Sequence, residues 1–115
     1  MGLVKLDGHD DNLVTPQYST ARGPVVRSDT MELTRAFFEK GKGASLHHHP
    51  EEQIVYVLSG RGRVRLGDEE YEIGPGDVSF HPSNVPHAIV ALEDLRVLSI
   101  KHLVDPIYEA TGRLT

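Results

Sequence analysis

The 115-residue chain contains no cysteine, which excludes disulfide frameworks, thiolate metal sites and cysteine nucleophiles. It also has no apolar run near the roughly 20 residues that a membrane-spanning helix needs. Positive charge is scarce, because 12 basic side chains stand against 17 acidic ones and the formal net charge is −5. Nucleic acids and anionic membranes require a basic surface, so neither is expected as a partner. The first residues lack the apolar segment of a secretory signal, and we expect a cytoplasmic single domain.

Turn-forming residues divide the chain into three parts. Residues 1–24 contain glycine, proline and aspartate too densely for a long helix or strand, so they are predicted to form an N-terminal arm, with a short pairing segment near Leu13 as an option. Residues 25–104 alternate short β-branched or aromatic segments with turns, and no helical stripe persists there. Residues 105–115 are predicted as a C-terminal tail, in which Asp105 and Pro106 can begin a helical turn.

The central part is predicted to be all-β. The segments with strand composition are residues 25–26, 31–38, 53–58, 63–66, 71–73, 78–80, 88–92 and 95–100. Residues 66–71 are typical of a hairpin connection, with Gly67 able to take positive φ. Many short strands separated by glycine and proline turns indicate a sandwich or a barrel.

Three consecutive histidines, His47 to His49, are the strongest chemical signal, and His87 follows a proline-containing turn later in the chain. In an extended segment, His47 and His49 point to one side and His48 points to the other. Gln53 has the same parity as His47 and His49, so this segment can offer two imidazoles and an amide oxygen to one point, with His87 as a fourth ligand. The alternative is a solvated polar loop or a tag remnant, because a short histidine cluster is only a compositional cue.

Around these histidines the sequence resembles the cupin family. The first cupin motif, G-x5-H-x-H-x3,4-E-x6-G, fits residues 41–60 with Gln53 in place of the glutamate. The second motif, G-x5-P-x-G-x2-H-x3-N, fits residues 76–91 with Asn84 at the second glycine and Ala91 at the final asparagine. Asparagine tolerates the left-handed conformation that glycine supplies, so the turn at Asn84 should be kept.

The resemblance spans about residues 30–102 and implies a small jelly-roll (double-stranded β-helix) barrel. It also implies one divalent transition-metal ion per chain, held by His47, His49, Gln53 and His87. Zinc, nickel, iron, manganese, cobalt and copper all suit such ligands. Because Gln53 is neutral where the motif has glutamate, the full charge of the ion stays inside the barrel, which favours an anionic substrate. Four protein ligands leave coordination positions open, as expected for catalysis or chelation.

Among small cupins, the chain is most similar to the pectin- and alginate-degradation cupins that linearise unsaturated uronates, through residues 38–41, 49–50, 52–53, 56–58 and 91–94. Those enzymes carry an aspartate on the last barrel strand and an arginine shortly after it, where this chain has Ser99 and Asp105. The acid and the arginine of that reaction are therefore missing. Alternation places Ser99 and Lys101 on one face, which makes both candidate pocket residues. Lys101 can serve there as a carboxylate partner or acid–base group, or it can simply extend into solvent.

Other polar residues near the motifs carry weaker expectations. His48 is expected at the surface or at an interface. His81 is expected to be a half-exposed strand histidine, with a role in the pocket as the alternative. Glu51 or Glu52 can lie behind the ligands, or one of them can compete with Gln53 as a ligand if the chain bulges there.

These patterns together predict a metal-dependent cupin that acts as a Lewis-acid isomerase, tautomerase or lyase. Its expected substrate is a small, oxygenated and carboxylated metabolite such as a sugar acid. An iron-dependent dioxygenase and a non-catalytic binding or sensing module are the alternatives. A homodimer is expected, because the barrel has sheet faces and edges to cover and the arm can cross to a partner.

Overall fold

The computed structural model describes residues 2–104, and these residues form nine β-strands and no helix. The strands are β1 (Val25–Arg27), β2 (Met31–Phe38), β3 (Gly43–His47), β4 (Gln53–Ser59), β5 (Gly62–Leu66), β6 (Glu69–Ile73), β7 (Val78–His81), β8 (His87–Ala91) and β9 (Leu95–His102). Each predicted strand segment corresponds to one of them, with ends that differ by at most two residues. Nothing in this part of the chain has the length and apolarity of a membrane-crossing helix. Residues 105–115, with their predicted helical turn, lie outside the described residues.

The strands pair into two antiparallel sheets with the topology of a jelly roll. The five-stranded sheet has the order β1-β2-β9-β4-β7, and the four-stranded sheet has the order β3-β8-β5-β6. Consecutive strands such as β3 and β4 therefore lie in different sheets. The predicted all-β jelly-roll fold is confirmed.

Two predicted turns have the expected backbone conformation. Gly67, between β5 and β6, has φ +56°, and Asn84, in the loop before β8, has φ +61°. Asn84 therefore occupies the left-handed region that the motif normally assigns to glycine.

β3 is the strand that the sequence pattern did not predict. Its residues, GASLH, include glycine, alanine and serine, and none of the five is fully buried. The strand lies at one end of the four-stranded sheet and pairs with β8. Gly43 permits a close approach of the two strands, because a Cβ atom at this position would lie 1.9 Å from the carbonyl oxygen of Ile89. Tertiary pairing with β8, rather than intrinsic strand propensity, therefore defines β3.

The hydrophobic core lies between the two sheets and adjoins the histidines, because Val55 and Val97 line the same cavity as His47 and His87. It combines residues of both sheets, and Leu95, Val57 and Val64 within it have no measurable solvent exposure. Burying each such side chain contributes about 1.5–3 kcal/mol to folding. The core residues from the strands are Val25, Ala36, Phe38, Val55, Val57, Val64, Ile73, Ala91, Leu95 and Val97.

Part of the N-terminal arm packs against the barrel of its own chain. Val14 and Ala21 belong to the hydrophobic core. Isolated bridges join Leu13 to Arg22, Arg22 to β2, and Ser19 to β3, so the expected pairing near Leu13 is present. The arm therefore contacts both sheets of the barrel.

Candidate metal centre

Three histidines converge at one end of the barrel. His47 ends β3 and pairs in register with His87, which begins β8, while His49 lies two residues beyond β3. Each offers a ring nitrogen, and these three atoms all lie within 4.8 Å of one another. The ring centroids are 4.3 Å apart for His47 and His87 and 4.9 Å apart for His49 and His87. The structure thus brings together the three histidines that the sequence pattern selected.

Backbone carbonyls select the same tautomer in all three imidazoles. Nδ1 of each ring lies at hydrogen-bond distance from the carbonyl oxygen of a residue two positions away: 2.6 Å for His47, 2.9 Å for His49 and 3.0 Å for His87. A carbonyl oxygen only accepts, so Nδ1 carries the proton and Nε2 carries the lone pair. Nε2 of His49 and of His87 is buried and has no hydrogen-bond partner among the described residues. Buried lone pairs with no donor fit a metal ion, which binds neutral imidazole.

The environment keeps these imidazoles neutral. Burial is the main cause that lowers the pKa of His47 to about 4 and the pKa of His49 to about 3, and the positive charge of Lys101 lowers both further. Burial also lowers the pKa of His87. Protons compete with metal ions for imidazole, so a lowered pKa extends metal binding towards acidic pH.

Gln53, the first residue of β4, lines the same cavity as His47 and His87. Its amide nitrogen donates a hydrogen bond of 2.7 Å to Oγ of Ser99, and its amide oxygen lies 3.4 Å from Nδ1 of His81. Ser99 therefore holds the NH2 group, which leaves the oxygen on the side of the cavity where His81 lies. Three imidazoles and an amide oxygen form a donor set that suits divalent transition metals.

His81 corrects the expectation of a half-exposed strand histidine, since only 3% of it is exposed. It pairs in register with Gln53, and its Nε2 lies 2.8 Å from Oγ of Ser79, which lies 2.7 Å from the hydroxyl of Tyr71. Burial lowers the pKa of His81 to about 3. The prediction was wrong because the inner face of β7 closes the cavity, and only the pairing of β7 with β4 reveals this.

A row of polar residues crosses the inner face of the five-stranded sheet beside the histidines. Register pairs join Arg27 to Glu32, Glu32 to Lys101, Lys101 to Gln53, and Gln53 to His81. Arg27, Glu32 and Lys101 are all buried, and Nε of Arg27 lies 3.8 Å from Oε2 of Glu32. Sequence reasoning missed Arg27 and Glu32, although Glu32 shares a face with the inward residues of the alternating strand β2.

Lys101 and Ser99 both line the cavity, which has a volume of about 70 Å³. The interpretation that Lys101 extends into solvent is wrong, because only 5% of the residue is exposed. Lys101 lies in the middle of the polar row, between its register partners Glu32 and Gln53. His48, by contrast, is exposed as expected. The cavity therefore combines a buried cationic side chain with the imidazole cluster.

The arm supplies one wall of this cavity, which sequence reasoning did not foresee. The ring of Tyr18 stacks on the ring of His47 with a centroid distance of 3.8 Å and an interplanar angle of 18°. The backbone of Tyr18 is held because its carbonyl accepts a 2.8 Å hydrogen bond from the amide of Ser45 on β3. The dense turn residues of the arm indicated a loop, but they gave no signal for its contact with the histidines.

Comparison with known proteins agrees with this geometry. The family model described as "Cupin domain" matches residues 35–101. This chain belongs to the cupin family. The family resemblance of the two sequence motifs is thereby confirmed.

Cupins of different activity are similar to this chain. The dimethylsulfoniopropionate lyase DddQ of Ruegeria pomeroyi is 36% identical over 67 residues, which cover 57% of this chain and 33% of that protein. The acireductone dioxygenase of Exiguobacterium sibiricum is 32% identical over 73 residues, which cover 55% of this chain and 41% of that protein. The solved structure of KdgF from Halomonas sp. has a TM-score of 0.63 at 27% identity and covers 71% of this chain and 79% of that chain. The chain spans about a third to two fifths of the length of these two curated relatives.

Proposed function

We propose that this cupin binds one divalent transition-metal ion per chain through His47, His49, Gln53 and His87. The observation that carries the proposal is the convergence of three imidazoles whose Nδ1 protons are all engaged by backbone carbonyls. Their Nε2 atoms are left as the ligand atoms. Once bound, the ion would supply Lewis acidity towards a carbonyl or enediol oxygen. Zinc, nickel, iron, manganese, cobalt and copper are all candidates.

The proposed reaction class is that of an isomerase, tautomerase or lyase acting on a small carboxylated metabolite, such as a sugar acid. The support for an anionic ligand comes from Gln53, which adds no negative charge, and from Lys101, which is buried between Gln53 and the carboxylate of Glu32 in the register of the sheet. A buried ammonium group attracts and orients a carboxylate more strongly than an exposed one, since the protein interior screens charge poorly. Lys101 is therefore proposed to bind the carboxylate of the metabolite, and Ser99 to hold Gln53 in position.

Elemental analysis of untagged protein, purified without chelator, tests the metal site. The wild-type protein should contain close to one equivalent of metal, and a His47→Ala/His87→Ala double variant should contain almost none. A His48→Ala variant is the matched control, because it removes an exposed histidine of the same triplet. If wild type and variant both contain no metal, even after metal ions are added, the Lewis-acid function is refuted.

A dioxygenase is the second candidate, favoured by the similarity to an acireductone dioxygenase. The two functions differ in metal and in co-substrate. Iron in the purified protein, together with oxygen uptake in the presence of a metabolite, would favour the dioxygenase. Zinc, nickel or manganese without oxygen uptake would favour the isomerase or lyase.

A non-catalytic binding or sensing module is the third candidate, because Ser99 stands where the uronate-linearising cupins have an acid. Tight binding of a metabolite that is recovered unchanged, measured by calorimetry and NMR, would favour it. Turnover of the same metabolite would exclude it.

We further propose that two chains associate through the outer face of the five-stranded sheet. Five exposed apolar side chains, Ile54, Tyr56, Val78, Phe80 and Ile100, lie on this face, and register pairs join Ile54 to Phe80 and Ile100, and Tyr56 to Val78. A contiguous apolar surface of this kind favours association. Light scattering should show a dimer for wild type and a monomer for a Tyr56→Glu/Phe80→Glu variant. A monomeric wild type would contradict the proposal.

The cytoplasmic location stays a prediction.

A further inference from the structure

Glu51 is a buried carboxylate directly beside His49. Only 1% of it is exposed, and neither carboxylate oxygen has a hydrogen-bond partner among the described residues. Oε1 lies 3.8 Å from Nδ1 of His49, while the backbone carbonyl of Glu51 accepts the hydrogen bond from that same Nδ1 at 2.9 Å. Removing a carboxylate from water without a partner is strongly unfavourable. Its burial therefore calls for a compensating positive charge.

His49 offers the carboxylate no hydrogen bond, because the proton on its Nδ1 is already donated to the backbone carbonyl of Glu51. The opposite edge of the ring, however, carries the buried Nε2 that has no hydrogen-bond partner among the described residues. A cation bound at Nε2 draws electron density from the ring and makes the Nδ1 edge more positive, and this edge faces Glu51.

Neither Gln53 nor Lys101 adds negative charge beside the ligands, and the carboxylate of Glu32, which also lines the cavity, pairs with Lys101 in the register of the sheet. Gln53 occupies the position at which the cupin motif has glutamate, so the ligand set itself is neutral. Lys101 adds a buried cationic side chain next to Gln53 in the register of the sheet. A divalent ion would therefore enter a ligand set without any anionic member.

We propose that Glu51 supplies, from behind His49, the negative charge that Gln53 does not supply as a ligand. This inference rests on the proposed metal site and makes Glu51 a positioning residue that acts through His49. Its two contacts have separate effects: the backbone carbonyl selects the tautomer and orientation of the ring, and the carboxylate stabilises the ring once its Nε2 binds a cation. The negative charge thus comes from position 51, beside a ligand, instead of from the ligand at position 53.

The test compares Glu51→Gln with wild type at one fixed pH near 7.5. Zn²⁺ affinity is measured by competition with a chromophoric chelator, and the stability of the metal-free protein is measured by urea unfolding in EDTA. The variant should bind Zn²⁺ about 10- to 100-fold more weakly. Its metal-free form should unfold at a higher urea concentration than wild type, because the variant no longer buries a carboxylate whose oxygens lack a hydrogen-bond partner among the described residues. Glu52→Gln is the matched control, since this adjacent side chain is exposed, and it should change neither quantity.

Glu51→Gln is expected to weaken Zn²⁺ binding but to stabilise the metal-free protein. These opposite effects distinguish charge compensation by Glu51 from a packing role, which would lower both. Equal Zn²⁺ affinity in Glu51→Gln and wild type would overturn the role of Glu51 while leaving the metal site intact. Lower urea resistance of the metal-free variant would also overturn it, because Glu51 would then stabilise the fold without metal. Failure of the wild-type protein to bind Zn²⁺ or any other candidate ion would instead overturn the metal site itself, and the role of Glu51 with it.

Discussion

Acid is expected to destabilise the metal-free protein through its buried histidines. The folded pKa is lowered to about 4 for His47 and to about 3 for His49 and His81, with burial as the main cause in each case. In the unfolded chain the pKa of histidine is about 6.5. Below pH 6.5 the unfolded chain therefore binds protons that the folded chain does not, and stability falls as the pH falls towards the folded pKa values. Above pH 6.5 the imidazoles are neutral in both states and the stabilisation is fully present.

His81 allows one histidine to be isolated, because it is buried like the others but is not among the proposed ligands. A histidine that is protonated only in the unfolded chain contributes a slope of at most about 1.4 kcal/mol per pH unit. Between pH 6 and pH 5, the stability of wild type should therefore fall more steeply than that of His81→Gln, by about 1 kcal/mol per pH unit.

The assay is urea unfolding in EDTA at half-unit pH steps, with the free energy of unfolding extrapolated to water. Carboxylates titrate equally in both proteins and cancel in the difference. His102→Gln, which removes an exposed histidine at the end of β9, is the matched control. Identical slopes for wild type and His81→Gln would refute the reasoning, because His81 would then titrate alike in the folded and unfolded chains.

Two further predictions concern backbone geometry and the arm. Gly41 and Gly60 have the same φ of +83°, but a Cβ atom at Gly60 would lie 2.0 Å from the carbonyl oxygen of Asp94, whereas one at Gly41 would have no neighbour within 4 Å. Gly41→Ala should lower the free energy of unfolding by about 1–2 kcal/mol, because alanine is strained at this φ. Gly60→Ala should lower it by about 1–3 kcal/mol more than Gly41→Ala does, roughly the penalty of overpacking. Equal losses for the two variants in urea unfolding would contradict the role of close approach at Gly60. Tyr18→Leu removes the ring that stacks on His47 and should weaken Zn²⁺ binding about 2- to 10-fold in the chelator assay. An unchanged Zn²⁺ affinity would show that the arm does not position His47.

Local patterns predicted most of the strands and selected the three histidines that the structure brings together. Short stretches of sequence are enough to recognise the alternation along β2 and β9 and the glycine and proline turns between strands. The parity of His47, His49 and Gln53 is local in the same sense. β3 was missed because its composition is not that of a strand, and its pairing with β8 involves residues distant in the chain.

The surroundings of the site could not be obtained in this way. The burial of His81 depends on the pairing of β7 with β4, and the burial of Lys101 depends on its position between Glu32 and Gln53. These registers join segments far apart in sequence, so no local pattern specifies them. Glu51 was recognised as a possible neighbour of the ligands, but only the folded loop shows that its carboxylate is buried against Nδ1 of His49.

Near the histidines, the five-stranded sheet carries polar side chains on its inner face and apolar side chains on its outer face. This arrangement affects how the register of the strands is maintained. At the histidine end, the inner face carries Gln53 and Lys101 while the outer face carries the exposed Ile54 and Ile100. A one-residue slip of a strand normally exposes apolar side chains and buries polar ones, and this penalty preserves the alignment. At the histidine end the same slip would bury Ile54 or Ile100, so that end resists slippage least. Apolar partners farther along the strands, such as Val57 and Val97, keep the strands aligned, so the residues around the histidines are able to vary in evolution while the barrel persists.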